Sequence, residues 1–204
     1  MIAAAKKNGL EGTLLVASRR LRDPERMRTA VLVVHHCQSC ALGVILNGPL
    51  VLVPPQLVEM FPGELGTSNL PIGYGGPKPT RLLAIHGGSS WADIELRPGL
   101  YATTGTRQLK RLLARQTGPC RWFVGYVEWK PSQLRKELLR GDWLIAPARS
   151  TYILHQHDDL WSQVLKQAAR GAVTSRAVGE PTRPASRPNS EFTSGTGDAL
   201  DSND

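Results

Sequence analysis

Thr29-Ala30-Val31-Leu32-Val33-Val34-His35 and Ala41-Leu42-Gly43-Val44-Ile45-Leu46-Asn47, joined through His36–Cys40, decide the fold. Each run is almost continuously apolar, which suits a strand covered on both faces. β-Branched Val and Ile favour extended backbone over a buried helix. Asn47-Gly48-Pro49 ends the pair with a strong turn signal. The stretch predicts a central hairpin with helices and further strands packed around it.

Working outward, Gly12-Thr13-Leu14-Leu15-Val16-Ala17 predicts a first strand. Arg19–Arg28 is an arginine-rich loop built on the Asp23-Pro24 turn. Pro54-Pro55 opens a short helix over Gln56–Phe61, with Leu57, Met60 and Phe61 on one side. Gly63–Pro71 reads as a loop closed by Tyr74-Gly75-Gly76-Pro77. Strands are predicted at Arg81–His86 and Leu100–Thr103. A helix capped by Thr104 or Thr106 runs to about Gln116. Its Leu109, Leu112 and Leu113 form the buried stripe, and Arg107, Lys110, Arg111 and Arg115 the cationic face. Arg121–Trp129 predicts one aromatic strand, with Gly125 marking a bulge or a close backbone approach. A helix over Ser132–Arg140 ends at Gly141, and Trp143–Ala146 adds a strand. Asp158 or Asp159 caps a last helix carrying Trp161, Val164, Leu165 and Ala168.

The chain of 204 residues is 41% apolar, enough for one domain with polar ends. Residues 1–11 read as a flexible lead and 12–170 as the domain. From residue 171 Thr, Ser, Gly, Pro and Asp dominate, and such a segment predicts a disordered tail. The net charge is +8, and the basic excess lies before the tail: 21 Lys and Arg stand against 12 Asp and Glu through Lys166. A basic body permits nucleic acid, anionic lipid or acidic partners. Three cysteines are too few for a secreted disulfide framework. No leader-like apolar core and no membrane-length apolar stretch is visible, so a cytoplasmic protein without a membrane partner is expected.

Several segments in order carry a family resemblance: Gly12–Ser18, Asp23-Pro24, Arg28–Leu32, Ala41–Asn47 with Pro49, and Tyr74-Gly75-Gly76-Pro77 followed by Leu82 and His86. Phe123-Val124-Gly125-Tyr126, Trp129–Leu134, Gly141–Leu144 and Leu160-Trp161 complete the set. Together they resemble the AlgH/YqgE-like family of small bacterial proteins. The resemblance implies a single α+β domain: a branched, mostly antiparallel sheet with a barrel-like part, surrounded by helices. The family is often labelled as transcriptional regulators, without a recognised DNA-reading helix or an agreed enzymatic activity. Gly48 stands where the family usually has Arg, Val127-Glu128 replace a usual Ala-Gly, and Cys40 replaces a usual Gly.

Candidate chemistry begins with Cys37-Gln38-Ser39-Cys40, preceded by His35-His36. A CxxC pair holds zinc or cycles as a dithiol. Zinc needs further ligands, for which Cys120 and His86 would have to arrive through the fold. A redox pair normally opens a helix, whereas this one joins two strands. Ordinary loop cysteines, with no metal and no cofactor, are therefore expected. His155 and His157 before Asp158-Asp159 also read as loop residues rather than ligands. No serine sits in a nucleophile elbow, and Gly73–Gly76 lacks the Lys-Ser/Thr of a phosphate-binding loop.

The leading expectation is a non-enzymatic binding or regulatory protein for a protein or small ligand. Its contact surface is placed on Asn47, Gly75, Gly76, Pro77, Tyr126 and Trp129, from loops on a rigid frame. The alternatives are direct nucleic-acid binding through Arg19, Arg20 and Arg22 of the Arg19–Arg28 loop with Arg107, Lys110 and Arg111 of the Arg107–Arg115 helix, or a metal or redox role of Cys37 and Cys40.

Overall fold

The computed structural model describes residues 9–63, 65, 70–115, 118–157 and 159–177, with side chains as far as residue 170. The elements run β1 Leu14–Ala17, β2 Ala30–His36, β3 Ala41–Ile45, α1 Pro55–Met60, β4 Ile72–Tyr74, β5 Leu82–His86, β6 Ile94–Arg97 and β7 Leu100–Thr103. They continue with α2 Thr106–Ala114, β8 Cys120–Val124, β9 Val127–Trp129, α3 Gln133–Arg140, β10 Trp143–Ala146, α4 Ser150–Leu154 and α5 Leu160–Ala177.

The strands form two five-stranded sheets, ordered β10-β1-β2-β3-β9 and β4-β8-β5-β7-β6. All pairs are antiparallel except β4 with β8. The fold is α+β. The branched sheet takes the form of two separate sheets, with no closed barrel among the described residues.

Period-two alternation sorts the side chains into three cores. Leu14, Val16, Leu32, Val34, Val44 and Leu46 of the first sheet meet Leu83, Ile85, Ala102 and Phe123 of the second. Ile153, Leu154, Leu160, Val164 and Ala168 of α4 and α5 pack against this middle core. The reverse face of the first sheet, with Leu15, Val31, Val33, Ile45 and Trp129, packs on Leu134 of α3. The reverse face of the second, with Leu82, Ala84, Trp122 and Val124, packs on α1 and α2 through Leu57, Phe61, Leu109 and Leu112. The β2–β3 hairpin is thus covered on both faces, as its apolar runs predict. Each fully buried Leu, Val or Ile contributes roughly 1.5–3 kcal/mol.

Several details differ from the sequence reading. The aromatic stretch is two strands in different sheets, because Gly125 at φ +84 turns the chain out of the second sheet and into the first. β4 arises inside a segment read as a loop, and β6 and α4 were not expected. Gly105, not a threonine, is the N-cap residue of α2. The Asp93 carboxylate, from the loop before β6, accepts the N–H of Thr104 at 2.7 Å and of Gly105 at 2.6 Å. The backbone of α5 continues to Ala177, past the expected boundary at 171. The rest of the expected tail, the lead to residue 8, and Asp158 as a helix cap lie outside the described residues.

Candidate functional site

The three loops expected to carry the contact surface do converge, as a seam where the two sheets meet. Ile45 of β3 donates its N–H to the Gly75 carbonyl at 2.9 Å, and Gly75 donates to Val124 of β8 at 2.8 Å. Gly125 donates to Arg81 at 2.9 Å, and Lys78 to the Tyr126 carbonyl at 3.3 Å. Gly75 and Gly76 are buried, while Pro77 and Tyr126 are half-buried. The Asn47 side chain is itself part of the frame. Its Oδ1 accepts the Ala30 N–H at 2.8 Å, and its Nδ2 donates to the Arg28 carbonyl at 2.9 Å. Gly48 packs so closely that a Cβ there would run into the Tyr74 carbonyl. An arginine at this position does not fit the present turn.

Trp129 is a correction. It is fully buried, so it cannot contribute to an exposed contact surface. Its indole N–H donates to Glu137 Oε2 at 2.9 Å, and that of Trp143 donates to the same oxygen at 2.7 Å. Gln133 Nε2 donates to Glu137 Oε1 at 2.9 Å, and Arg26 Nη1 lies 3.2 Å from both oxygens. Burial would raise the pKa of Glu137, but these donors and the Arg26 charge win and hold it below the usual carboxylate value.

Beside the seam lies a groove of about 360 Å³, walled by Leu46–Gly48, Leu50, Pro71, Gly73, Cys120–Trp122, Gln156 and His157. Arg121 of β8 lines it, on the same strand face as Phe123 two residues on. Its guanidinium carbon sits 4.9 Å from the Phe123 ring centroid. Nη2 donates to the Leu46 carbonyl at 2.7 Å, and Nη1 to those of Ile153 at 3.2 Å and His155 at 3.3 Å. Burial lowers the Arg121 pKa. No carboxylate among the described residues pairs with it. A neighbouring group, the indole N–H of Trp122, is buried without a partner among the described residues. Sequence reasoning missed Arg121, because three carbonyls distant in the chain define its surroundings.

The two basic segments sit on different layers. Arg19, Arg20 and Arg22 are exposed on the loop whose Leu21 packs against the α3-side core of the first sheet. Arg107 and Arg111 are exposed on α2, which covers the second sheet, and Lys110 lies 5.9 Å from the Phe61 ring centroid. Arg26 is drawn inward by Asp23 at 2.6 Å and by Glu137.

Among the chemistry-bearing residues, His86 is buried against Thr103 Oγ1 at 2.9 Å, and burial pushes the Cys120 thiol up to about 12. Neither approaches Cys37 and Cys40 as a ligand; His35 does so instead. Ser39 Oγ lies 2.9 Å from the Cys37 sulfur and brings that thiol down to about 6. His157 is tied to the Thr151 carbonyl at 2.8 Å. No described helix is long and apolar enough to cross a membrane.

Two five-stranded sheets packed between helices, with a glycine-lined seam and no closed barrel among the described residues, define the class: an α+β protein with the AlgH-like fold. The chain belongs to the AlgH-like family, whose model matches residues 14–171. It is 30% identical over 161 residues to a UPF0301 protein of Chlamydia caviae, covering 76% of this chain and 85% of that one. A UPF0301 protein of Myxococcus xanthus is 29% identical over 158 residues, covering 75% and 87%. Among solved structures, the AlgH protein from Pseudomonas aeruginosa superposes with a TM-score of 0.64 at 25% identity, covering 88% of this chain and 98% of that one. A protein from Corynebacterium diphtheriae shares the fold, with a TM-score of 0.60 at 22% identity.

Proposed function

We propose that this protein binds a small anionic ligand, bearing a carboxylate or phosphate, in the groove at Arg121. In this reading it works by binding and regulation rather than by catalysis. The observation that carries it is a half-buried, partly desolvated guanidinium with no acidic partner among the described residues. Burying a charge without a counter-ion is costly, and carbonyl dipoles offset only part of that cost. Of the five guanidinium N–H groups, the three carbonyls take up those of Nη1 and one of Nη2. Nε–H and the other Nη2–H would remain to donate to an oxyanion. Leu50 and Pro71 supply an apolar wall beside it.

The test is amide chemical-shift mapping with inorganic phosphate, pyrophosphate and a dicarboxylate as probes. Saturable shifts are expected at Gly48, Gly73, Cys120 and Arg121. Arg121→Lys keeps the charge but loses the guanidinium donors, and should weaken binding about tenfold, equivalent to roughly 1.4 kcal/mol. Shifts that never saturate, or that are unchanged in Arg121→Lys, would falsify the reading.

A further inference from the structure

We propose that His35, Cys37 and Cys40 form a zinc site with three protein ligands and a fourth position open to water. One ligand atom from each residue lies within 4.8 Å of the others. The two sulfurs are 3.8 Å apart. Tetrahedral Zn²⁺ with Zn–S bonds of about 2.3 Å places two thiolates roughly 3.8 Å apart, so this edge of the tetrahedron already exists. One imidazole with two thiolates is the borderline-soft set that favours zinc over magnesium or calcium.

The fold explains why the third ligand is His35. The β2–β3 ladder pairs Val33 with Gly43 and then His35 with Leu42, leaving Val34 as an extra bulged residue. In an unbroken ladder His35 would oppose Ala41 and turn toward the buried α3-side core. The bulge moves it to the face of Leu42, and Cys40, one residue before Ala41, alternates to that same face. Glu11 then orients the ring. Its Oε1 lies 3.1 Å from His35 Nδ1 and accepts the His36 N–H at 3.1 Å. With Nδ1–H given to Glu11, the lone pair falls on Nε2, as in carboxylate–histidine–zinc arrangements. Glu11 is a positioning residue. Cys37 is exposed and Cys40 half-buried, so a metal has an open path. This site lies on the hairpin turn and does not depend on the Arg121 groove.

The experiment titrates Zn²⁺ into the reduced full chain in competition with a chromophoric chelator, and repeats the titration with Co²⁺. One equivalent should bind, and Co²⁺ should give a near-ultraviolet sulfur-to-cobalt charge-transfer band. Cys40→Ser should abolish that uptake, and Glu11→Gln should weaken it about 10- to 100-fold. Cys120→Ser should leave it unchanged. All these positions are exposed or half-buried, and far-UV circular dichroism checks that the variants fold. No stoichiometric uptake by the reduced chain overturns the site. So does uptake that persists in the Cys37→Ser/Cys40→Ser double variant, or a chain that only closes a disulfide in air.

Discussion

Glu137 is 4% exposed and accepts hydrogen bonds from two indoles, a glutamine and an arginine. Truncation to alanine would strand both indole N–H groups and leave Arg26 with Asp23 alone. Removing one partner of such a buried charged network costs about 3–5 kcal/mol. Glu137→Ala should lose that much in urea unfolding, while Glu128→Ala on the exposed face should change stability little. The pH dependence has a defined sign. The folded pKa lies below the unfolded value of about 4.3, so the stabilisation is present above that pH. It is lost as pH falls through the folded pKa. Unfolding titrations below pH ~4.3 should therefore show a smaller pH slope in Glu137→Gln than in the native chain. The sequence did not reveal this hub. Glu137 sits among Arg135, Lys136 and Arg140 on an amphipathic helix, where a carboxylate normally faces water.

At the scale of elements, the hairpin was legible because both faces of β2 and β3 are covered, leaving an unmistakable apolar run. Short strands with a compact apolar run, such as Leu100–Thr103 and Trp143–Ala146, were legible, but two others were not. β4 is three residues long, and its parallel pairing with β8 comes from contacts distant in the chain. β6 has a single buried residue, Leu96. The cap of α2 was missed because Asp93 reaches it from an earlier loop. The bend in the aromatic stretch was half legible: Gly125 signalled a close backbone approach, but not a change of sheet. A Cβ at Gly125 would run into the Gly76 carbonyl, and φ +84 disfavours any side chain. Gly125→Ala should thus cost about 2–4 kcal/mol, from strain and forced displacement together, in chemical denaturation. Gly118→Ala also has positive φ but meets open space, and should cost less.

Over the whole molecule, the charge excess reads directly from the chain, but its arrangement does not. Arg19, Arg20 and Arg22 belong to the first sheet's surroundings, and Arg107, Lys110 and Arg111 to the second's. If only one cluster meets a duplex, the logarithm of affinity should fall against the logarithm of salt with a slope of about −3; joint engagement would give about −5. We expect the shallower slope in a fluorescence-anisotropy titration, unchanged by neutralising the other cluster. The groove at Arg121 was illegible for a related reason. Residues near 46, 71, 121 and 156 meet only after both sheets have formed. The strand order also bears on how this chain is born. The second sheet is complete once Val124 has emerged from the ribosome, but the first still lacks β9 and β10. During that interval the nascent β1–β3 meander has neither its edge partners nor α3 over it. The greasiest segment of the protein is then the one left waiting, and it is where a chaperone would be needed.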